Sequence, residues 1–169
     1  MLSKHKIKQW AKEIAITSIL LIITANAVSY FRSPDIQEKS LPLIKATLID
    51  QEKFSSLEYK NKPLLIHFWA TWCPTCKLES SNIQALSKHY NVLTIAVNSG
   101  TDIEISTYLK EHDLNYKVIN DKEGTLAQQF SVQAYPTSFI YDINNKLIFS
   151  EVGYTSTWGL YLRMWWASR

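Results

Sequence analysis

The sequence predicts an α/β fold, with a mixed central sheet flanked by helices, and three observations carry that prediction. Leu64–Ala70 has the nearly continuous apolar character of a buried central strand. A helical pattern begins directly after it, at Cys73. Near the end of the chain, two strand-like segments joined by a polar turn form a hairpin before a last helical pattern. Alternating elements that end in an antiparallel hairpin indicate a mixed sheet.

The other strands are expected at short apolar or β-branched segments. An edge strand at Lys45–Asp50 begins the domain, and the polar stretch after it, up to Lys62, holds a short second strand. The later strands are expected at Val92–Val97, Tyr116–Ile119, Thr137–Tyr141 and Lys146–Val152, the last two joined by Asp142–Asn145.

Four helices are expected from apolar spacing near 3.6 residues. Asp102 is expected to cap the second of them, and a short third helix covers Leu126–Phe130. The expected inner faces are Leu78, Ile83, Leu86 and Tyr90 in the first helix, Ile105, Tyr108, Leu109 and His112 in the second, and Trp158, Tyr161, Leu162 and Trp165 in the last. Trp166 is also expected in this core helix, with contact to a membrane surface as the alternative.

The beginning of the chain differs in composition from the rest. Residues 1–12 are rich in lysine, and residues 14–31 contain no charged side chain. Lysines before an apolar stretch retain the N-terminus in the cytoplasm, and the residues after the stretch are then exported. The sequence therefore predicts a cytoplasmic tail and transmembrane signal anchor at 1–32, a linker with two prolines at 33–43, and a globular domain at 44–169.

Two outcomes are open for the apolar stretch, an anchor or a cleaved signal. Ala25-Asn26-Ala27 has the small-x-small form that signal peptidase recognises. Against cleavage, apolar character continues to Phe31, and Trp10 and Tyr30 stand at the two ends as interfacial aromatics do. We therefore favour an uncleaved anchor. Both outcomes place the domain outside the cytoplasm, in an oxidising compartment.

The charge balance excludes one class of partner. The formal net charge of the 169-residue chain is only +3, and much of the positive charge lies in the N-terminal tail. The domain has no clustered stripe of lysine and arginine, so nucleic acid is not expected to bind.

The two cysteines of the chain form one Cys-x-x-Cys, Cys73-Pro74-Thr75-Cys76, at the predicted strand-to-helix turn. Cysteines at this spacing close a small disulfide ring, and the orphan N–H groups of a helix start favour a thiolate on the first. Cys73 is thus the expected exposed, attacking sulfur and Cys76 the resolving one. Pro74 suits a first-turn position, which needs no backbone donor. The predicted chemistry is dithiol–disulfide exchange.

Three other uses of the cysteine pair compete with exchange. A zinc site needs four ligands, and His67, His89 and His112 lie far apart in the sequence. A purely structural disulfide stabilises little, because closing so short a loop removes little entropy from the unfolded chain. A copper(I) site on two thiolates remains open as a side function, since linear ligation by two sulfurs needs no third residue.

The motifs Phe68-Trp69-Ala70-Thr71-Trp72-Cys73-Pro74-Thr75-Cys76 and Ala134-Tyr135-Pro136-Thr137 resemble the thioredoxin fold, in its membrane-tethered branch of TlpA-, ResA- and DsbE-like proteins. The Trp-rich ending, from Gly153 to Ala167, resembles the suppressor-of-copper-sensitivity protein D group. The name of that group points to copper tolerance, a link that the sequence itself does not establish. The resemblance covers nearly the whole chain, including the predicted anchor.

The resemblance implies roles for residues around the cysteine pair. Pro136 is expected to be a cis-proline beside the sulfurs, which leaves the backbone of Tyr135 free to pair with an extended substrate and keeps metals away. Trp72 is the expected partner-contacting aromatic, while Trp69 packs inside. Pro74 and Thr75, between the two cysteines, complete the expected substrate-binding set.

Resolution requires Cys76 to lose its proton, and three residues are candidates to influence that step. His67 stands six residues before Cys73, where thioredoxins place a buried aspartate; a neutral core histidine is the expectation. Glu79 matches the Cys-x-x-Cys-x-x-Glu pattern of the cytochrome c maturation branch, where a glutamate tunes the acidity of the sulfurs. A solvated carboxylate is the equal alternative for Glu79, because i+3 spacing does not show which side faces the core. Lys77 is expected at the surface.

By this resemblance the protein is expected to be a thiol–disulfide oxidoreductase of the bacterial inner membrane, single-pass, with its catalytic domain in the periplasm. Protein substrates with disulfides and an integral-membrane electron donor are its expected partners. No cofactor is expected beyond the redox-active Cys73–Cys76 disulfide. Client reduction is the expected direction. The alternatives are a thiol reductant for cytochrome c maturation and a copper(I)-binding module that uses the same two thiolates.

Overall fold

A computed structural model describes residues 8–10, 12–20, 23–24 and 39–169. The chain divides into two units, Met1–Arg32 and Ser33–Arg169. In the first unit the described residues are helical, and the side chains described there are exposed. None of the helices formed by described residues has both the length and the apolar character that a membrane crossing requires. The predicted anchor at 14–31 lies partly outside these residues, as does the linker at 33–43, and the candidate cleavage site at 25–27 lies wholly outside them.

The second unit contains seven strands within its described residues, 39–169, and is built around a five-stranded mixed sheet. The strands are β1 Lys45–Thr47, β2 Lys53–Ser55, β3 Leu64–Trp69, β4 Asn91–Val97, β5 Lys117–Asp121, β6 Thr137–Tyr141 and β7 Leu147–Val152. The central sheet has the order β5-β4-β3-β6-β7. Strands β3, β4 and β5 are parallel, whereas β6 runs antiparallel to β3 and to β7. The predicted mixed sheet and its closing hairpin are therefore confirmed.

The first predicted strand begins at Lys45, as expected, but is shorter than the predicted Lys45–Asp50. Strand β1 ends at Thr47, because the chain then reverses in a turn in which Leu48 N–H donates to the carbonyl of Glu52 at 2.8 Å. Gln51 has a φ of 71° within this turn. Strand β1 pairs only with β2, in a separate two-stranded sheet of the described chain, and is not an edge of the central sheet.

Four α-helices from the same described range flank the sheet: α1 Pro74–Ser87, α2 Asp102–Glu111, α3 Thr125–Gln129 and α4 Thr157–Ala167. The cap of α2 differs from the prediction, because Thr101 and not Asp102 is the N-cap residue. Glu104 N–H donates to Thr101 Oγ1, and the Glu104 carboxylate accepts from Thr101 N–H at 2.7 Å. This reciprocal pair is a capping box, which satisfies two orphan donors of the first turn.

Two layers of core side chains cover the two faces of the central sheet. Leu65 and Trp69 of β3 belong to the layer that also contains buried side chains of α1, α2 and α4. Leu64, Ile66 and Phe68 alternate with them and pack in the other layer, with the β1–β2 hairpin and α3. Burial on both faces explains why this strand has no polar alternation in the sequence.

The helix faces show the clearest errors of the sequence prediction. Leu78 of α1 is 71% exposed, because the core side of that helix follows Cys76, Glu79, Ile83 and Leu86. In α4 the buried residues are Leu160, Met164 and Ala167. Trp158, Trp165 and Trp166 are 80%, 46% and 64% exposed, so their assignment to the core is wrong. When apolar residues occur on both sides of a helix, helical spacing does not show which side faces the core. The side that the sequence predicted as the inner face of α4 is the exposed one.

Candidate active site

The Cys73–Cys76 pair lies where β3 ends and α1 begins. Cys73 is the N-cap residue of α1, and its Sγ accepts a hydrogen bond from the backbone N–H of Cys76 at 3.2 Å. The two sulfurs are joined in a disulfide. Pro74 occupies the first turn, as expected. The sulfur that would attack is thus placed at the positive end of the helix dipole, which favours its thiolate once the bond is reduced.

Both cysteines are enclosed by the protein, whereas the sequence predicted that the attacking sulfur, Cys73, would be exposed. Cys73 is 6% exposed and Cys76 is 2% exposed. In this disulfide form the Cys73 Sγ lies 3.6 Å from the carbonyl oxygen of Tyr135, which contributes to its enclosure. The prediction that Cys73 is exposed is therefore wrong for this state, although Cys73 remains the more accessible of the two.

Pro136 follows Tyr135 through a cis peptide bond, the conformation expected from the resemblance. The proline is buried, and its carbonyl accepts from Gly153 N–H at 2.8 Å. The contact between Cys73 Sγ and the Tyr135 carbonyl brings this segment beside the disulfide. A β-strand-like substrate segment would meet the cysteines and the Tyr135 backbone together.

The rim of the site is aromatic and open to solvent. Trp72 is 60% exposed, and its indole N–H donates to the carbonyl of Asn98 at 3.0 Å. Its ring stands edge-on to Tyr135, with centroids 5.8 Å apart. Pro74 is exposed and Thr75 is half-buried. Large rigid side chains of this kind bury area at small entropic cost when a partner binds.

Glu79 lies inside the protein, one helical turn after Cys76. It is fully buried, and its Oε1 accepts from the backbone N–H of Thr155 at 3.0 Å, while its Oε2 has no hydrogen-bond partner among the described residues. Burial raises the pKa of Glu79 from 4.5 to about 8; the Thr155 hydrogen bond opposes that rise, and the charge of Glu151 adds to it. Of the two predicted environments, the buried one is observed.

His67 lies on the same face of β3 as Leu65 and Trp69. Its Nδ1 is 2.9 Å from Ser138 Oγ on the neighbouring strand, and burial lowers its pKa from 6.5 to about 3. His67 is therefore a neutral core residue, as the sequence predicted. Lys77 is exposed and Trp69 is buried, both as predicted.

Three contributors to the site were absent from the sequence prediction. Thr155 supplies the backbone donor to Glu79, Asn98 accepts from Trp72, and Ser138 contacts His67. Each lies between 26 and 76 residues from its partner in the chain. No local spacing signals such contacts, since the sheet register and the packing of α4 create them. The hairpin prediction alone pointed toward Ser138, because it placed Thr137–Tyr141 in the sheet.

Metal ligands do not gather elsewhere in the described part of the chain. No group of three or more histidine, cysteine, aspartate or glutamate side chains is arranged to hold an ion among residues 8–10, 12–20, 23–24 and 39–169. In the disulfide form the two sulfurs are bonded to each other. Ligation of copper(I) by both sulfurs would first require reduction of that bond.

A cysteine pair at a helix start, beside a cis-proline on a mixed sheet, defines a thioredoxin-like thiol–disulfide oxidoreductase. The chain belongs to the Redoxin family, whose sequence pattern matches residues 34–158. The predicted thioredoxin-like fold and enzyme class are thus confirmed.

Relatives agree with this assignment. A thioredoxin-like protein of Haemophilus influenzae is 32% identical over 166 residues, which cover 96% of this chain and 97% of that protein. The thiol-disulfide oxidoreductase ResA of Bacillus cereus is 31% identical over 142 residues, or 77% of this chain and 82% of its own. Among solved structures, a thiol:disulfide interchange protein of the thioredoxin family from Chlorobium tepidum superposes with a TM-score of 0.71 at 25% identity, covering 80% of this chain and 99% of its own.

Proposed function

We propose that this protein is a membrane-tethered, extracytoplasmic oxidoreductase that reduces disulfides of client proteins in the bacterial envelope. The observation that carries the proposal is the Cys73–Cys76 disulfide at the start of α1, in contact with the Tyr135–Pro136 segment. The likeness to ResA supports the chemistry. The Trp-rich ending supports the finer placement among tethered proteins of the suppressor-of-copper-sensitivity protein D group.

The proposed reaction moves two electrons from the reduced protein to the client. The Cys73 thiolate attacks a client disulfide, one client sulfur leaves as a thiolate, and a mixed disulfide joins Cys73 to the client. Cys76, deprotonated, then attacks the Cys73 sulfur and releases the second client thiolate. The client ends as a dithiol and the protein as its Cys73–Cys76 disulfide, which an electron donor must reduce before the next turnover.

Glu79 is proposed to tune the acidity of the buried thiols. Cys76 and Glu79 both lie on the core side of α1. A carboxyl whose pKa is about 8 is mostly neutral at pH 7, so it adds no full negative charge that would oppose a thiolate nearby. When it ionises, the same group makes formation of that thiolate harder. The two titrations are then coupled, and their apparent pKa values belong to the pair.

The proposed tether is the segment 14–31. Two of its threonines satisfy their own hydroxyl groups, because Thr17 Oγ1 donates to the carbonyl of Glu13 and Thr24 Oγ1 donates to that of Leu20, both at 2.8 Å. Such bonds reduce the cost of placing hydroxyl groups in a lipid environment. The lysine-rich residues before it support an orientation with the domain outside the cytoplasm. The proposed electron donor is accordingly an integral-membrane protein.

The direction of electron flow is tested by the reduction potential of the full chain, equilibrated with glutathione or dithiothreitol buffers. A value near −270 mV, about that of thioredoxin, supports a reductase. A value near −120 mV, about that of DsbA, would make the protein an oxidant and overturn the proposed direction.

Client engagement is tested by trapping in cells. Cys76→Ser removes the resolving sulfur, so mixed disulfides through Cys73 should accumulate and disappear on treatment with dithiothreitol. Cys73→Ser is the matched control, because it removes the attacking sulfur and should trap nothing. If Cys76→Ser also traps no partner, exchange with protein clients is excluded, which is the result that a copper(I)-binding module would give.

A further inference from the structure

Helix α4 presents apolar side chains on two opposite faces. Leu160, Met164 and Ala167 face the core. Trp158, Leu162, Trp165 and Trp166, at positions i, i+4, i+7 and i+8, form an exposed stripe that we call the outer face of α4. Contiguous exposed apolar side chains of this size mark a site of interaction more often than a solvated surface. The outer face is therefore a candidate docking surface.

Helix α4, which carries the outer face, is held rigidly against the active-site helix α1. Tyr161 Oη donates to the carbonyl of Ala85 at 3.0 Å, and Thr157 Oγ1 donates to Asn82 Oδ1 at 2.8 Å. Asn82 Nδ2 in turn donates to the carbonyl of Thr155 at 2.9 Å. The exposed indoles are thus presented by a fixed helix. Little conformational entropy is lost when they are covered.

The composition of the outer face favours a lipid surface over a protein. Three of its four residues are tryptophan, the side chain enriched at the membrane–water interface. No acidic residue occurs anywhere in the sequence of α4. The guanidinium of the exposed Arg169 lies 3.6 Å from the centroid of the Trp165 ring. Tryptophan and leucine with a cation and no acidic side chain are the pattern of an interfacial helix on anionic lipid.

The proposed tether also keeps a bilayer within reach. Residues 33–43 separate the apolar segment from the domain, and eleven residues span at most roughly 36 to 40 Å when fully extended. A domain confined to that distance from the bilayer meets the lipid surface at high effective concentration. An intrinsically weak contact is then enough to keep the domain docked. We propose that the outer face of α4 docks the catalytic domain onto the anionic surface of the membrane that holds it. This inference rests on the membrane tether at 14–31 that is part of the proposed function.

Hydroxyl-radical footprinting of the full chain tests the docking. The chain is reconstituted, one copy per disc, in nanodiscs of phosphatidylethanolamine and phosphatidylglycerol, and oxidation of individual tryptophans is measured by mass spectrometry. Trp72 serves as the internal reference, because its 60% exposure matches the 64% of Trp166. We expect Trp158 and Trp166 to be oxidised about tenfold more slowly than Trp72. Equal oxidation of the three would overturn the proposal.

Two variants separate docking from other causes of protection. Leu162→Glu places a carboxylate in the outer face at a position that is 65% exposed, so it should restore oxidation of Trp166 without unfolding the domain. Ile103→Glu makes the same kind of change at a 79% exposed position of α2 and should leave the protection intact. Protection that survives Leu162→Glu, or that Ile103→Glu also removes, contradicts the assignment to this face.

The remaining outcomes identify other occupants or a failed tether. Protection that appears only when native membrane proteins are added shows a protein partner and overturns docking on lipid. Protection that requires two copies per disc shows self-association, and this result also overturns docking on lipid. If alkaline washing removes the chain from the lipid, the tether and the docking both fail. A disulfide-reduction assay on the same sample then shows separately whether the proposed oxidoreductase activity stands.

Discussion

Glu79 accepts a hydrogen bond from the backbone N–H of Thr155 at 3.0 Å, although the two residues are 76 positions apart in the chain. The bond joins the helix that carries the cysteines to the segment that leads into α4. Glu79 Oε2 has no hydrogen-bond partner within the described chain, so the fully buried carboxyl is only half satisfied. Such a group favours its neutral form, which is the cause of its raised pKa of about 8.

The first prediction concerns pH and Glu79. The folded protein holds this proton up to about pH 8, whereas the unfolded chain releases it near 4.5, so the contribution of Glu79 to the unfolding free energy should fall as pH rises between those values. Glu79→Gln keeps an oxygen acceptor for Thr155 and cannot ionise. Urea unfolding at several pH values should show that this variant loses the decline, which is worth about 4 kcal/mol as an upper estimate. An unchanged pH profile would contradict the raised pKa.

His67 should produce the opposite slope at lower pH. Its pKa is about 3 in the folded protein and 6.5 when unfolded, so the unfolded state binds the extra proton and stability falls as pH drops from 6.5 toward 3. Between 4.5 and 6.5 this loss and the Glu79 gain have opposite signs and offset each other. His67→Gln should therefore expose the Glu79 slope in that window. The measurement is again urea unfolding, and a variant profile parallel to that of the natural protein would argue against a neutral His67.

Trp72 should matter for protein clients and not for small disulfides. Its exposed ring offers contact area beside the cysteines, and its indole N–H fixes the ring by a hydrogen bond to the carbonyl of Asn98. Trp72→Ala should lower the rate of reducing a folded protein disulfide by about tenfold, while the rate with oxidised glutathione changes little. Trp72→Phe retains an aromatic ring but removes the N–H donor. This variant therefore shows whether the client needs the contact area of the ring or the ring position that the hydrogen bond to Asn98 fixes. Equal losses with both substrates would assign Trp72 to the chemistry of the sulfurs.

The capping box of α2 should be measurable in stability. Thr101→Ala removes the hydroxyl acceptor of the Glu104 N–H and should cost about 1 kcal/mol of unfolding free energy. Thr107→Ala on the same helix is the matched control. The Thr107 hydroxyl donates to the carbonyl of Ile103, a backbone group of the same helix, so its loss should be neutral or slightly stabilising. Equal effects of the two substitutions in urea unfolding would show that the cap contributes nothing specific.

The sequence predicted best where a pattern is local. Leu64–Trp69 was recognisable because a strand buried on both faces is apolar throughout, and the cysteine pair directly after it placed the start of α1. The hairpin of β6 and β7 was predictable from two β-rich segments around a polar turn. The expected cis-proline came from a resemblance and not from periodicity.

Prediction failed where the answer depends on which neighbour a helix meets. The spacing of Leu78, Ile83 and Leu86 is near-helical, yet only Ile83 and Leu86 of these three are buried. Trp158 and Leu160 are both apolar residues of α4, and nothing in the local sequence shows that the smaller one faces the core. The sequence likewise did not decide whether Glu79 is buried, because its partner Thr155 reaches it only through the tertiary fold.

The Redoxin pattern ends at residue 158, yet the structure that encloses the site continues past it. A chain shortened to that boundary would retain Thr155 but lose Leu160, Met164 and Ala167, the side chains that seat α4 in the core. Without that helix, the Thr155 segment would be joined to α1 by little more than its hydrogen bonds with Asn82 and Glu79, and we expect water to reach the carboxyl. The acidity of Glu79 thus depends on residues beyond those that the Redoxin pattern matches, and a chain trimmed at residue 158 should lose stability together with the raised pKa of this carboxyl.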